Sequence, residues 1–182
     1  TDLILALGGA VQVWEEDEHP WLVKEKAIIR DWVETRAKPY IGLCLGHQLL
    51  GTALGGEAGY VAEKEIGLCT VSFEDGREEI VTQWHMAEVS RAPEAATITA
   101  SSDKCANQMM TIGDHAYSSQ FHHEWDLQTV RNWQALWQTE MDKATGQAGF
   151  YNGFVNAVQQ AQPALSSHTW SLFNSFMTRQ GW

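Results

Sequence analysis

The sequence is poor in basic residues, and this shortage limits the partners that the protein can have. Lysine and arginine number 12 in 182 residues against 23 aspartates and glutamates, which gives a formal net charge of −11. A chain this acidic repels phosphate backbones, so no nucleic-acid partner is expected. No apolar run approaches the roughly 20 residues that span a bilayer, and the first residues lack the basic region of a signal peptide. We therefore expect a cytoplasmic protein with no membrane partner.

Cysteine is also scarce, and its pattern predicts reduced thiols. The chain has three cysteines, Cys44, Cys69 and Cys105, and no Cys-x-x-Cys pair. An odd count at low density does not make a disulfide framework. Cys69 lies in an alternating run typical of a strand, and Cys105 is expected in a loop.

Signatures of bound cofactors are missing as well. The glycine pairs Gly8-Gly9 and Gly55-Gly56 form neither a dinucleotide-binding pattern nor a Walker loop. A metal site built on His122, His123 and Glu124 is not expected, because adjacent residues of a strand point to opposite faces and no further ligand recurs at a useful spacing. The sequence thus predicts no cofactor and no metal.

The first third of the chain alternates strand and helix patterns. Apolar residues predict a buried strand over Leu3–Leu7, a helix over Trp21–Arg36, a strand over Tyr40–Leu43 and a second helix ending near Leu54. This alternation favours a parallel α/β sheet. In such sheets, functional sites lie at the carboxyl ends of the strands.

The rest of the chain has a different pattern, although its length fits a single domain over residues 1–182. Short alternating runs with turn signals predict a partly antiparallel extension of the sheet over Glu63–Ala100. Helical spacing predicts a helix over Asp126–Glu140. Two further helices are expected over Phe150–Gln160 and Ala164–Met177, separated by Pro163.

One cysteine lies where a strand pattern turns sharply into a helix. Cys44 is flanked by Gly42 and Gly46, the small residues that a strained strand-to-helix elbow requires. At the start of a helix, the helix dipole favours the thiolate, which is the nucleophilic form. The alternative is a buried structural cysteine in a glycine-rich turn. Neither of the other cysteines has such flanking glycines, so Cys44 is the candidate nucleophile.

A second segment supplies a candidate base. The run Tyr117–Glu124 has a strand pattern, in which His122 and Glu124 would share one face while His123 points to the other. An imidazole with an orienting carboxylate can accept a thiol proton and is stabilised once it is charged. The alternative is an ordinary surface His-His-Glu sequence.

Together these segments resemble two motifs of the class I glutamine amidotransferases. Gly42–Gln48 matches the family's Gly-x-Cys-x-Gly-x-Gln elbow, and Gln120–Glu124 matches Gln-Phe-His-Pro-Glu except that His123 replaces proline. Leu7–Ala10 and Glu65–Gly67 are also similar to family segments, and Trp84-His85 resembles the Trp-His turn of the GMP-synthase-like stand-alone branch. The resemblance implies a flavodoxin-like α/β fold, a three-layer sandwich around a mostly parallel sheet.

The resemblance also implies roles for individual residues. Cys44 would attack the side-chain amide of glutamine, His122 would move protons, and Glu124 would orient His122. The backbone N–H groups of Gly9 and Leu45 would form the oxyanion hole. Substrate-binding residues would be those at the family's glutamine-contacting positions, namely Gln48, His85, Met86 and Ala87.

Three functions stay open at this stage. The first is a glutamine amidotransferase or glutaminase that releases ammonia, either freely or to a synthase partner, since the chain has no ATP site of its own. The second is a γ-glutamyl hydrolase acting on a γ-glutamyl amine or peptide, and the third is a non-enzymatic interaction protein. Because the family usually has a strand and a helix before its Gly-Gly loop, a longer native chain is also expected.

Overall fold

The computed structural model describes residues 2–182 and contains a sheet of seven strands. The strands are β1 Ile4–Ala6, β2 Tyr40–Leu43, β3 Glu57–Phe73, β4 Glu78–Arg91, β5 Thr97–Ser101, β6 Met109–Ile112 and β7 Ala116–Ser119. Their order across the sheet is β1-β2-β7-β6-β5-β3-β4, with β1 at one edge. The helices are α1 Trp21–Arg30, α2 Leu45–Ala53, α3 Leu127–Thr145 and α4 Phe150–Arg179, and a π-helical turn over Asp31–Thr35 extends α1.

The α/β class is confirmed, but the predicted mostly parallel sheet is wrong. Only the pairs β1–β2 and β2–β7 are parallel, whereas β7–β6, β6–β5, β5–β3 and β3–β4 are antiparallel. The physical reason is the length of the connections. Parallel neighbours need a crossover of a dozen or more residues, and the short links after β3 and β6 permit only hairpins. The three-layer sandwich stays a prediction.

The longest hairpin, β3–β4, carries two of the sequence segments singled out above. Glu65 pairs with His85 in its ladder, so Trp84-His85 lies within β4 and not in the predicted turn. Between Tyr60 and Glu65 the register shifts, which leaves residues 61–64 outside the ladder. Cys69 lies in β3 as predicted.

Side chains of the central strands alternate between two apolar clusters. Tyr40 belongs to the cluster that contains buried residues of α1 and α2, whereas its neighbour Ile41 belongs to the cluster that contains Phe176 of α4. Residues adjacent on a strand point to opposite faces. The first cluster therefore fixes α2, the helix that follows Cys44, against one face of the sheet.

The C-terminal region forms a helical hairpin in which α4 is continuous. The prediction of two helices separated by Pro163 is wrong, because Phe150–Arg179 is one helix. A proline inside a helix removes one hydrogen bond and crowds the preceding turn. Val158 and Leu165, on either side of it, are buried in a third cluster with Met141 of α3, so tertiary packing outweighs that cost. Although α4 has 30 residues, no described helix has an apolar stretch that could cross a membrane.

Candidate active site

Cys44 occupies a strained backbone conformation between β2 and α2. Its φ and ψ angles are 51° and −102°, in a region that residues other than glycine rarely adopt. A Cβ atom at Gly42 would lie 2.6 Å from the carbonyl oxygen of Gly46, and one at Gly46 would overlap the carbonyl oxygen of Ala6. The two glycines are therefore needed for the chain to make this elbow. Cys44 itself is 7% exposed.

His122 and Glu124 lie beyond the end of β7, which stops at Ser119. The observed strand is thus shorter than expected, and the pair is held by other contacts. The backbone N–H of His122 donates to the carbonyl oxygen of Thr82 in β4 at 2.8 Å. His122 Nδ1 lies 2.7 Å from Glu124 Oε1. The imidazole is buried, whereas the Glu124 side chain is 32% exposed.

The structure brings Cys44, His122 and the Gly8-Gly9 loop together. A Cβ atom at Gly8 would lie 2.9 Å from His122 Cε1 and 3.5 Å from Cys44 Cβ. Burial by itself would lower the pKa of His122, but the charge and hydrogen bond of Cys44, followed by those of Glu124, raise it to about 10. Burial likewise acts to raise the pKa of Glu124, yet the hydrogen bond from His122 holds it below its usual value. The three groups therefore favour a charged imidazolium.

The two predicted oxyanion-hole residues are neighbours. A Cβ atom at Gly9 would lie 2.7 Å from Leu45 Cδ2. Within residues 2–182, neither the Gly9 nor the Leu45 backbone N–H donates a hydrogen bond. Leu45 is the first residue of α2, where a helix leaves its N–H groups without intrahelical partners. That these two groups form an oxyanion hole stays a prediction.

A buried chain of amides leads to the sulfur of Cys44. Gln48 Nε2 donates to the carbonyl oxygen of Ala87 at 3.0 Å and to Gln120 Oε1 at 3.1 Å. Gln120 Nε2 in turn donates to Cys44 Sγ at 3.6 Å. Gln120 is not among the site residues that the sequence predicts. The available signal was its place in the second motif, two residues before His122.

His85 is enclosed by acceptor atoms. Its Nε2 lies 3.0 Å from Glu65 Oε2 and its Nδ1 lies 3.0 Å from the carbonyl oxygen of Ala87. Ser102 and Gln108 also donate to the carboxylate of Glu65. Burial acts to raise the pKa of Glu65, but the hydrogen bonds from His85, Ser102 and Gln108 hold it below its usual value. Both ring nitrogens of His85 are therefore occupied by the protein.

The remaining predicted substrate contacts differ in their accessibility. Met86 is 39% exposed, whereas Ala87 and Gln48 are buried. That these residues and His85 bind substrate stays a prediction. Among residues 2–182, no group of three or more histidine, cysteine or acidic side chains is arranged to hold a metal ion.

The sequence is similar to curated enzymes of two kinds. It is 37% identical over 103 residues to a glutamine-hydrolyzing GMP synthase subunit from Sulfolobus acidocaldarius, a match that covers 52% of this chain and 55% of that protein. It is 27% identical over 146 residues to gamma-glutamyl peptidase 3 of Arabidopsis thaliana, covering 68% of this chain and 58% of that one. The chain therefore spans only a little over half the length of these relatives.

The fold is similar to solved structures of glutamine amidotransferases. A glutamine amidotransferase from Thermotoga maritima superposes with a TM-score of 0.84 at 26% identity, covering 98% of this chain and 77% of that one. A glutamine amido transferase from Methylobacillus flagellatus shares the fold, with a TM-score of 0.83 at 24% identity, over 94% and 74% of the two chains. The family model described as glutamine amidotransferase class-I matches residues 2–132, which include the elbow and the whole of the second motif. The chain belongs to the class I glutamine amidotransferase family.

Proposed function

We propose that this protein hydrolyses the side-chain amide of glutamine through a Cys44-His122-Glu124 triad. The observation that carries the proposal is the meeting of a strained cysteine elbow with a histidine whose Nδ1 lies 2.7 Å from a carboxylate. Residues with strained backbone conformations cluster at functional sites. Here the strained residue is Cys44, whose thiol would be activated by the imidazole of His122.

The first half of the proposed reaction forms a thioester. The Cys44 thiolate attacks the side-chain amide carbon of glutamine, and the N–H groups of Gly9 and Leu45 stabilise the resulting oxyanion. Since Glu124 engages Nδ1 of His122, the other ring nitrogen is left to give its proton to the departing nitrogen. The carbon–nitrogen bond then breaks, ammonia leaves, and a γ-glutamyl thioester remains on Cys44.

The second half releases glutamate. Neutral His122 takes a proton from water, and the resulting hydroxide attacks the thioester carbon. The carbon–sulfur bond breaks, so Cys44 returns as a thiolate and His122 as an imidazolium. Cys44, followed by Glu124, raises the pKa of His122, and Glu124 stabilises the imidazolium in both halves of the reaction.

A second candidate function uses the same chemistry on a larger substrate. The similarity to a protein named gamma-glutamyl peptidase favours a γ-glutamyl amide or peptide, in which the leaving group is an amine and not ammonia. The similarity to proteins that are named as one subunit of GMP synthase instead favours ammonia transfer to a separate synthase. A partner synthase and a cytoplasmic location are part of the proposal.

Product release from a panel of substrates tests the proposal. The purified protein is incubated with glutamine, γ-glutamyl anilide and γ-glutamyl dipeptides, and ammonia, free amine and glutamate are quantified. Cys44→Ser, which keeps the elbow but replaces the thiol, is the control and should abolish turnover. Ammonia from glutamine supports the amidotransferase, whereas cleavage of the dipeptides alone supports the hydrolase. No cleavage of any substrate above the Cys44→Ser background would contradict both.

A further inference from the structure

An aromatic ring lies flat against the proposed catalytic histidine. The ring centroids of His122 and Trp125 are 4.0 Å apart and the ring planes differ by only 18°. Both side chains are buried, with exposures of 5% for His122 and 6% for Trp125. The carboxylate of Glu124 meets the edge of the imidazole at Nδ1, while the indole covers its face. Trp125 directly follows the second motif, but the sequence alone does not predict a role for it.

Two other tryptophans fix the plane of Trp125. Trp133 of α3 meets it in an edge-to-face contact with centroids 5.3 Å apart, and Trp84 of β4 meets it edge-to-face at 6.4 Å. Trp125 also belongs to the apolar cluster that joins α3 and α4. The indole is thus held from the helical hairpin on one side and from the sheet on the other, and its orientation against His122 is set before any substrate binds.

The physics of such a stack depends on the charge of the imidazole. The face of an indole carries negative potential and attracts a cation, most strongly when both are desolvated. A neutral imidazole gains much less from the same contact. Of the described residues, the titratable groups that act on the protonation of His122 are Cys44 and Glu124, whereas the ring of the adjacent His123 packs against Tyr117 and Phe121.

We propose that Trp125 is a positioning residue that holds His122 as an imidazolium in the plane where it can give a proton to the leaving nitrogen. This role rests on the proposed function, because it concerns the proton that His122 donates when the carbon–nitrogen bond breaks. Trp125 forms no bond to substrate. Its effect is to keep the proton on His122 up to higher pH and to prevent rotation of the ring away from Cys44.

The test measures the protonation of His122 directly, without substrate. Long-range ¹H–¹⁵N spectra of the histidine rings are recorded against pH for the parent, Trp125→Leu and Trp125→Phe. Loss of the indole should lower the pH at which His122 gives up its proton by about one unit, a tenfold change in proton affinity. In Trp125→Phe, which keeps a smaller aromatic face, that pH should lie between those of the parent and Trp125→Leu. The Phe variant also provides the test if the Leu variant does not fold.

Trp137→Leu is the matched control. Trp137 belongs to the same aromatic group through a 5.2 Å edge-to-face contact with Trp84, lies on α3, and has no ring contact with His122 or Trp125. Its loss should leave the His122 titration unchanged, whereas a general effect of removing one tryptophan from this aromatic group would appear in both variants. Folded Trp125 variants with the parent's His122 titration would overturn the stacking role. If His122 titrates as expected but no γ-glutamyl substrate is cleaved, the proposed function fails and the stacking contact stands.

Discussion

Replacing His123 by phenylalanine should make the protein less sensitive to acid. The His123 ring packs beside Tyr117 with centroids 6.1 Å apart and beside Phe121 at 5.9 Å, and its Nε2 is buried without a hydrogen-bond partner among the described residues. Desolvation lowers the pKa of His123 from 6.5 to about 4. A phenyl ring would keep the packing, lose no hydrogen bond made by the ring, and remove the titration.

The expected magnitude follows from the linkage between protonation and folding. The folded pKa lies below the unfolded one, so the stability due to neutral His123 is present above pH 6.5 and is lost as the pH falls towards 4. Between pH 6.5 and pH 5 only the unfolded chain takes up this proton. The free energy of unfolding should therefore fall by about 1.4 kcal/mol per pH unit, or about 2 kcal/mol over that interval.

Urea unfolding at pH 7 and pH 5 provides the measurement. The buried His47, whose pKa burial lowers to about 4, titrates alike in parent and variant, so its contribution cancels in the difference between the two proteins. The gap between parent and His123→Phe should change by about 2 kcal/mol in favour of the variant on going to pH 5. His19→Phe, at a partly exposed site, controls for the loss of a histidine as such. A gap that does not change with pH would refute the assignment of His123 as a desolvated, neutral imidazole.

Three further predictions concern the site. A glutamine-like diazoketone should alkylate Cys44 far faster than the other two cysteines, and peptide mapping that places the adduct elsewhere would remove it as the nucleophile. His122→Ala should reduce turnover by about 10⁴-fold or more, whereas Glu124→Gln should leave a weaker but measurable enzyme, because orientation suffers while the base remains. Gly46→Ala should lower both the melting temperature and the activity, because the added methyl group would overlap a carbonyl oxygen of β1. Gly59→Ala is the control and should change neither, because a Cβ atom there would have no atom within 4 Å. Equal melting temperatures for the two variants would contradict this account of the elbow.

Local interactions explain what the sequence by itself determined. The elbow could be predicted because Gly42 is required by the carbonyl oxygen of Gly46, four residues away in the same turn. The start of α3 could be predicted because Asp126 Oδ1 accepts a hydrogen bond from the Thr129 N–H at 2.7 Å. Helical spacing likewise placed α1 and α2 close to their observed bounds. The nearness of His122 to Glu124 also followed from their two-residue spacing.

Tertiary structure decided what depends on residues far apart in the chain. The strand order depended on pairs between strands that are not consecutive in the chain, such as β2 with β7 and β3 with β5, and the continuity of α4 through Pro163 depended on packing against α3. The stack of Trp125 on His122 depends on Trp133 and Trp84, which hold the indole from α3 and from β4. The amide of Gln120 reaches Cys44 across 76 positions. Local propensity contains no information on such contacts, because they form only when the strands and helices have packed.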